Sequence, residues 1–302
     1  MAATKSPAPY ALIGDPSAAA SPLVFDSPHS WRDWPADGTP TSAPASAVKT
    51  SWDAFVDELW AEALDGSAPL LAARFHRAYI DANRPRDDID PALLAAPWPG
   101  PLNPGPTSRR GMGLIRRLAL PGVPMYTHLL SVEDVSGRIE RCYDPYHAKL
   151  AALVEAAHAR FGMSVHVDCH SMKSTGNAMN VDSGAARPDI VVSDLEGRSA
   201  DPFLVRWIAA SLGSLGYRVQ INHPYRGEEL VRRHGRPASG RHSVQIEINR
   251  ALYMDEARFM RHAGAARLVR DLASFVRQLA AGLSAEFLPR LQAPLDSPPQ
   301  QE

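Results

Sequence analysis

The stretch Val165-His166-Val167-Asp168-Cys169-His170-Ser171-Met172 passes from an apolar alternation into side chains that can hold a metal or move a proton. Successive side chains of a strand face opposite ways, so Val165, Val167 and Cys169 share one face and His166, Asp168 and His170 the other. His29 follows the apolar run Leu23 to Ser27 and also stands at a strand's carboxyl end. Glu247 lies where Val244, Ile246 and Ile248 alternate with Gln245, Glu247 and Asn249, which gives it polar neighbours on its own strand face. Two histidines and a carboxylate leave an open position on zinc, the arrangement of a hydrolytic site. Water at such a site ionises near neutral pH and can attack an amide carbonyl. Glu247 is then placed as general base and acid, and an arginine such as Arg84 as oxyanion partner or carboxylate clamp. A single strand-end histidine is more often a hydrogen-bonded structural residue, so the weight rests on the set.

These side chains need a sheet that brings several strand ends to one rim. Strand patterns at Leu23 to Ser27, within Leu70 to Ile80, near Leu114 to Leu120, at Val165, from Asp189 to Val192, from Tyr217 to Ile221 and from Val244 alternate with helical ones. Ser51 is the expected N-cap of a helix through Leu64 whose stripe is Trp52, Phe55, Val56, Leu59, Trp60 and Ala63. Asp57 borders that stripe, and a half-buried carboxylate is costly unless it is paired or bound to metal; the helix dipole or a nearby arginine is the alternative partner. A helical pair is expected from Val132 to Phe161, broken at Pro145, with further helices from Pro202 to Leu212 and from Ala265 to Leu283. The polar stretch 171–187 is a long loop of the kind that is usually functional or disordered. The alternation predicts an α/β fold: a three-layer mixed or mostly parallel sheet with helices on both faces, binding its ligand outside the carboxyl ends of the strands. Residues 1–20 read as a loose lead-in, 21–287 as one domain and 288–302 as a proline-rich, flexible tail.

Composition narrows the partners. Thirty-two basic against thirty-three acidic residues give a net charge of −1, so there is no global field for nucleic acid or an anionic membrane. No apolar run approaches the length needed to span a bilayer, and the first twenty residues lack the apolar segment of a secretory signal. The two cysteines, Cys142 and Cys169, make no disulfide framework, and a reducing, cytoplasmic setting is expected. Gly111-Met112-Gly113 is too short for a phosphate-cradling loop, which argues against a nucleotide-using enzyme.

The stretches Val24 to Ser30, Phe55 to Leu59, Tyr79 to Pro85, Asp168 to Met172 and Gln245 to Met254, in that order, resemble the N-formylglutamate amidohydrolase (deformylase) family over roughly residues 22 to 285. That family is distantly similar to zinc carboxypeptidases, which implies a phosphorylase/hydrolase-like fold. By resemblance His29 and His170 are zinc ligands, Glu247 the proton shuttle, and Asn83 with Arg84 the clamp on a substrate carboxylate. Zinc, or another divalent ion, is the implied cofactor. Tyr225, His242 and Arg250 are the remaining expected substrate contacts. Carboxypeptidases carry an acid ligand three residues after the first histidine, where this chain has Arg32. Asp57 is the expected replacement, with Asp33 and Asp168 as alternatives. Trp31 stands where the family usually has glycine, and its indole is expected to reshape the pocket. The implied reaction is hydrolysis of an N-acyl amino acid or short peptide bearing a free carboxylate, with N-formyl-L-glutamate giving formate and glutamate as the reference. A carboxypeptidase or amidase with another acyl substrate, and a non-catalytic binding protein on the same fold, are the alternatives; a mere binder has no use for Glu247.

Overall fold

The computed structural model describes residues 8–283 apart from 37, 179 and 181. In chain order its elements are β1 (Tyr10–Ile13), β2 (Leu23–Ser27), α1 (Ala45–Lys49), α2 (Val56–Leu64), β3 (Leu70–Ala73), α3 (Pro106–Arg109), β4 (Leu118–Leu120) and β5 (Val123–Pro124). There follow α4 (Val132–Arg138), α5 (Asp144–Phe161), β6 (Ser164–Met172), β7 (Ile190–Ser193), α6 (Pro202–Ser214), β8 (Val219–Ile221), α7 (Glu229–His234), β9 (Arg241–Asn249), β10 (Met254–Asp255), β11 (Met260–Arg261) and α8 (Gly264–Gly282).

Seven strands form one mixed sheet in the order β1-β3-β2-β6-β9-β7-β8. The central four, β3, β2, β6 and β9, run parallel, while β1 and β7 pair antiparallel with β3 and β9. The carboxyl ends of β2, β6 and β9 therefore emerge side by side, the placement that collects residues far apart in the chain. Both faces are covered, so the central strands are buried throughout. Val165, Val167, Cys169, Val244, Ile246 and Ile248 pack with Leu59 and Trp60 of α2, Ile208 of α6 and Phe275 of α8. On the opposite face Val24, Leu71 and Ala73 meet Tyr146, Leu150 and Val154 of α5. Truncating a fully buried side chain such as Ile246 to Ala would cost about 2–5 kcal/mol.

Local departures from the sequence reading have physical causes. The helix expected from Ser51 starts at Val56, because the Asp53 amide donates to the His29 carbonyl (3.1 Å) and the Trp52 indole N–H to that of Ser30. Those bonds pin residues 52–53 against the His29 loop, and Phe55 takes a left-handed φ of 65° before the helix can begin. No break occurs at Pro145. A π turn at Ile139–Tyr143 links α4 to α5, and Pro145, which has no N–H to give, falls just where the i−4 ladder resumes. The lead-in expected over 1–20 supplies an edge strand, β1, at Tyr10–Ile13. The expected tail, 288–302, lies outside the described residues.

Candidate metal centre and active site

β6 and β9 pair in a register that sets His170 beside Glu247 and Asp168 beside Gln245, while Asp26 of β2 lies beside Asp168. In-register neighbours on parallel strands share a face, so the strand alternation delivers His170 and Glu247 to one spot. His29, just beyond β2, turns its Nδ1 to within 3.1 Å of the Nδ1 of His170. Asp53, in the pinned segment before α2, brings Oδ2 to 3.0 Å from the His170 Nδ1 and 3.5 Å from the His29 Nδ1. All three residues are buried.

A tetrahedral ion with bonds of about 2.0–2.1 Å holds its ligand atoms about 3.3 Å apart, which is the spacing of this trio. Among the described residues this is the group of His, Cys, Asp and Glu side chains arranged to hold a metal ion. Carboxylates stand at the other ring nitrogens: the His29 Nε2 is hydrogen-bonded to Asp81 Oδ1 (2.6 Å), and the His170 Nε2 lies 2.7 Å from Asp168 Oδ1 as an ion-pair contact, with Asn83 Nδ2 at 3.1 Å. Such outer carboxylates favour the proton on Nε2; in the ion-free trio the Nδ1 atoms face the Asp53 carboxylate as hydrogen-bond partners, and a cation bound there would displace the proton they share with it. Two lone pairs and a carboxylate oxygen converging on one point suit a divalent ion.

Asp53 and Asp81 are held by arginines. Arg250 donates to Asp53 Oδ1 (3.1 Å), and Arg77 lies 3.5 Å from the same oxygen and 2.9 Å from Asp81 Oδ2. Burial disfavours the Asp53 charge, but hydrogen bonds from His170 and His29 outweigh it and keep the carboxyl well below its usual range. For Asp81 burial is likewise overcome, first by Arg77 and then by His29. Burial alone would lower the His170 pKa; the Asp168 carboxylate more than offsets this and holds it well above the ordinary histidine value. Glu247 behaves differently: burial pushes its carboxyl up to about 7, against the pull of His170. A hydrogen bond from Gln245 Nε2 to Glu247 Oε1 (3.0 Å) orients it.

The carboxylate ligand expected at Asp57 is placed differently. Because α2 starts late, Asp53 enters the centre, while Asp57 lies in the first helical turn with its amide N–H donating to Ser30 Oγ (3.2 Å). Burial raises the Asp57 carboxyl to about 6. Of the alternatives, Asp33 pairs with Arg32 on the surface, and Asp168 stands behind His170. His242, the second residue of β9, lies five residues or about 17 Å upstream of Glu247 and on the opposite face of the strand. Its Nδ1 accepts the Asp201 amide. Arg250, expected to bind substrate, donates instead to Ser171 Oγ, the Thr50 carbonyl and Asp53. The Asn83 amide is used internally, its Nδ2 donating to Asp168 and Gln245 and lying 3.1 Å from His170 Nε2, its Oδ1 accepting from the Leu230 N–H. Arg84 donates Nε to the Met112 carbonyl and Nη1 to the Asn83 carbonyl. Tyr225 lies under the Arg187 guanidinium (5.1 Å) and within the field of Glu247, its hydroxyl without a hydrogen-bond partner among the described residues. Trp31 carries the Arg74 guanidinium over its ring at 5.1 Å.

Sequence reasoning passed over Asp53, Arg77 and the role of Asp81. Asp81 sits two residues before Asn83 in a stretch already singled out, and the Asp81-Ala82-Asn83-Arg84 spacing was the available signal. A Ser243–His166–Asp26 chain, with contacts of 2.7 and 2.8 Å, has the connectivity of a nucleophilic triad. All three side chains are fully buried, which makes the chain a support for the sheet and not a second reactive site.

A family profile described as N-formylglutamate amidohydrolase matches residues 21–254. The chain is similar to the crystal structure of N-formylglutamate amidohydrolase from Ralstonia eutropha JMP134, with a TM-score of 0.86 and 42% identity, covering 92% of this chain and 99% of that one. It is also 30% identical over 241 residues to the N-formylglutamate deformylase of Pseudomonas putida, covering 78% of this chain and 82% of that protein. The Pseudomonas aeruginosa N-formylglutamate deformylase is 29% identical over 239 residues, with 78% and 83% covered.

Proposed function

The chain belongs to the N-formylglutamate amidohydrolase family, and from that footing we propose that it hydrolyses the amide bond of an N-formyl amino acid, with N-formyl-L-glutamate the reference substrate, at the His29–Asp53–His170 centre. The observation that carries the reading is Glu247 in register beside His170, with its carboxyl raised to about 7 by burial. A carboxylate with that value takes a proton readily at neutral pH and also gives it back.

Zinc is the ion we assign to the trio, and when bound it supplies Lewis acidity and makes water a stronger acid. The chain's own residues do the rest. Asp81 and Asp168 fix the rings of His29 and His170, and Arg250 with Arg77 fixes Asp53. Glu247 takes the proton of the attacking water and passes it to the amide nitrogen as the C–N bond breaks, so that formate and a free amine leave. Arg84 Nη2 has no hydrogen bond among the described residues and is free for a substrate carboxylate or the developing oxyanion. Tyr225, whose hydroxyl has no hydrogen-bond partner among the described residues and which lies within the field of Glu247, is the third contact.

The test is metal content measured beside formate release from N-formyl-L-glutamate. The zinc-loaded protein should release formate. Glu247→Gln should keep its zinc while kcat drops by about 10²- to 10⁴-fold, the usual worth of a general base. Full turnover in that variant, or no formate from the loaded wild type, would overturn the reading.

A further inference from the structure

Arg116 is 7% exposed and its guanidinium has no hydrogen bond or ion pair with any described residue; its Nε is fully enclosed. The other buried arginines among the described residues are all engaged: Arg84 with two carbonyls and Glu228, Arg138 with Asp134 and Tyr126, Arg187 with Asp182, and Arg250 with Asp53. A guanidinium carries five donors, and a buried charge without partners is costly, so such groups are normally paired.

The position of Arg116 says where its partner belongs. It lies on a segment whose Leu114 carbonyl accepts the Asp81 amide (2.8 Å) and whose Met112 carbonyl accepts Arg84 Nε (3.0 Å). That segment is therefore laced to the loop carrying Asp81, Asn83 and Arg84. Burial and then the nearby Arg77 push the Arg116 pKa down to about 9, with Arg84 adding to this and Asp81 and Asp53 opposing it. It stays a cation at neutral pH. Arg77 spends its charge on Asp53 and Asp81, and Arg250 spends its own on Asp53. Arg84 Nη1 lies 3.4 Å from the exposed carboxylate of Glu228, which leaves Arg116 as the buried guanidinium without a counter-charge among the described residues and so the one that remains for an incoming anion.

We infer that Arg116 is a further specificity-determining residue of this site, its guanidinium binding one of the two carboxylates of the proposed N-formyl-L-glutamate substrate. The inference rests on the hydrolase reading and deepens it. It also accounts for an arginine kept unpaired in the interior, since the substrate completes the pair.

The experiment uses the full-length, zinc-loaded protein and its Arg116→Met and Arg116→Lys variants. Formate release is compared for N-formyl-L-glutamate and its two mono-amides, on the side chain and on the α-carboxyl. Arg116→Met should lower kcat/KM for the diacid by about 10- to 100-fold, the loss of a charge-assisted bond. The mono-amide lacking the carboxylate held by Arg116 should be affected less than about threefold, and the lysine variant should fall between. Its melting temperature should not drop, because no internal bond is lost. Equal losses on all three substrates, or none, would overturn the proposal, and a methionine variant that does not fold leaves the lysine variant to carry the same comparison. If the wild type releases no formate, the hydrolase reading fails, and calorimetric binding of glutarate still decides the role of Arg116. Weaker glutarate binding in the variants supports it, and unchanged binding rejects it.

Discussion

His29 and His170 point the same ring nitrogen at Asp53 while a carboxylate stands at each Nε2, hydrogen-bonded at His29 and as an ion-pair contact at His170, so ligand geometry here depends on residues one step removed. Asp81→Asn should keep the fold and weaken zinc binding by about 10- to 100-fold, as outer-sphere losses do, measured by competition against a chromogenic chelator. Glu247 has its own pH consequence. As the proposed base it must be ionised, and burial sets its carboxyl at about 7; a bound cation would favour the carboxylate and lower that value. The acid limb of kcat/KM should therefore lie at or below about pH 7, activity falling as the pH drops through it. Gln245 donates to the carboxylate, so Gln245→Leu should move the limb upward. A limb that stays put or moves down would remove Gln245 from the role. At this scale strand alternation made His170 and Glu247 readable, and His29 followed from its place after an apolar run. Asp53 was not readable, because nothing local says that the residues after Ser51 dock on another loop before turning helical.

That docking is an element-scale event, and it decides which aspartate does what. A Ser N-cap and an apolar stripe favour a helix from residue 51, yet the Asp53 and Trp52 N–H groups go to the His29 loop and α2 starts at Val56. Tertiary hydrogen bonds override a weak propensity signal. Asp53→Asn should lose zinc, and Asp57→Asn should retain it, read by metal analysis of the purified variants. Asp57 also predicts a stability effect with a definite sign. Its folded pKa, about 6, lies above the ordinary 3.8, so its ionised form is disfavoured on folding. The cost is absent below about pH 4, grows between 4 and 6 and is complete above 6. Asp57→Asn should therefore raise the unfolding free energy by about 1–3 kcal/mol at pH 7 and change it little at pH 4. Equal denaturant midpoints at both values would mean that Asp57 has a partner when the ion is bound. The β2 strand was legible as a clear apolar run, and β6 and β9 by their alternation of apolar and polar residues. β1, a short antiparallel edge, was not, since its pairing with β3 is set by contacts distant in the chain.

For the whole molecule, the alternation of strands and helices was enough to anticipate a layered α/β sheet, but not its order, because β6 and β9 are neighbours only through long crossovers. The net charge of −1 gave no hint that acids and arginines concentrate on one rim of that sheet. That concentration has a global consequence. His29, Asp53 and His170 come from the end of β2, the segment before α2 and the end of β6, and no short stretch of an unfolded chain presents them together. An ion that binds the folded trio and not the unfolded chain stabilises the fold by about 2.7 kcal/mol when its free concentration is 100 times its dissociation constant. For a chain of this size that amounts to roughly 4–5 °C in melting temperature. Scanning calorimetry should show the zinc-loaded protein melting higher by about that margin than the chelator-treated one, with the difference rising as the logarithm of free zinc. Asp53→Asn should abolish the zinc dependence while Glu247→Gln preserves it, since the first removes a ligand and the second only a base. A zinc-dependent shift of full size in Asp53→Asn would place the ion elsewhere in the fold.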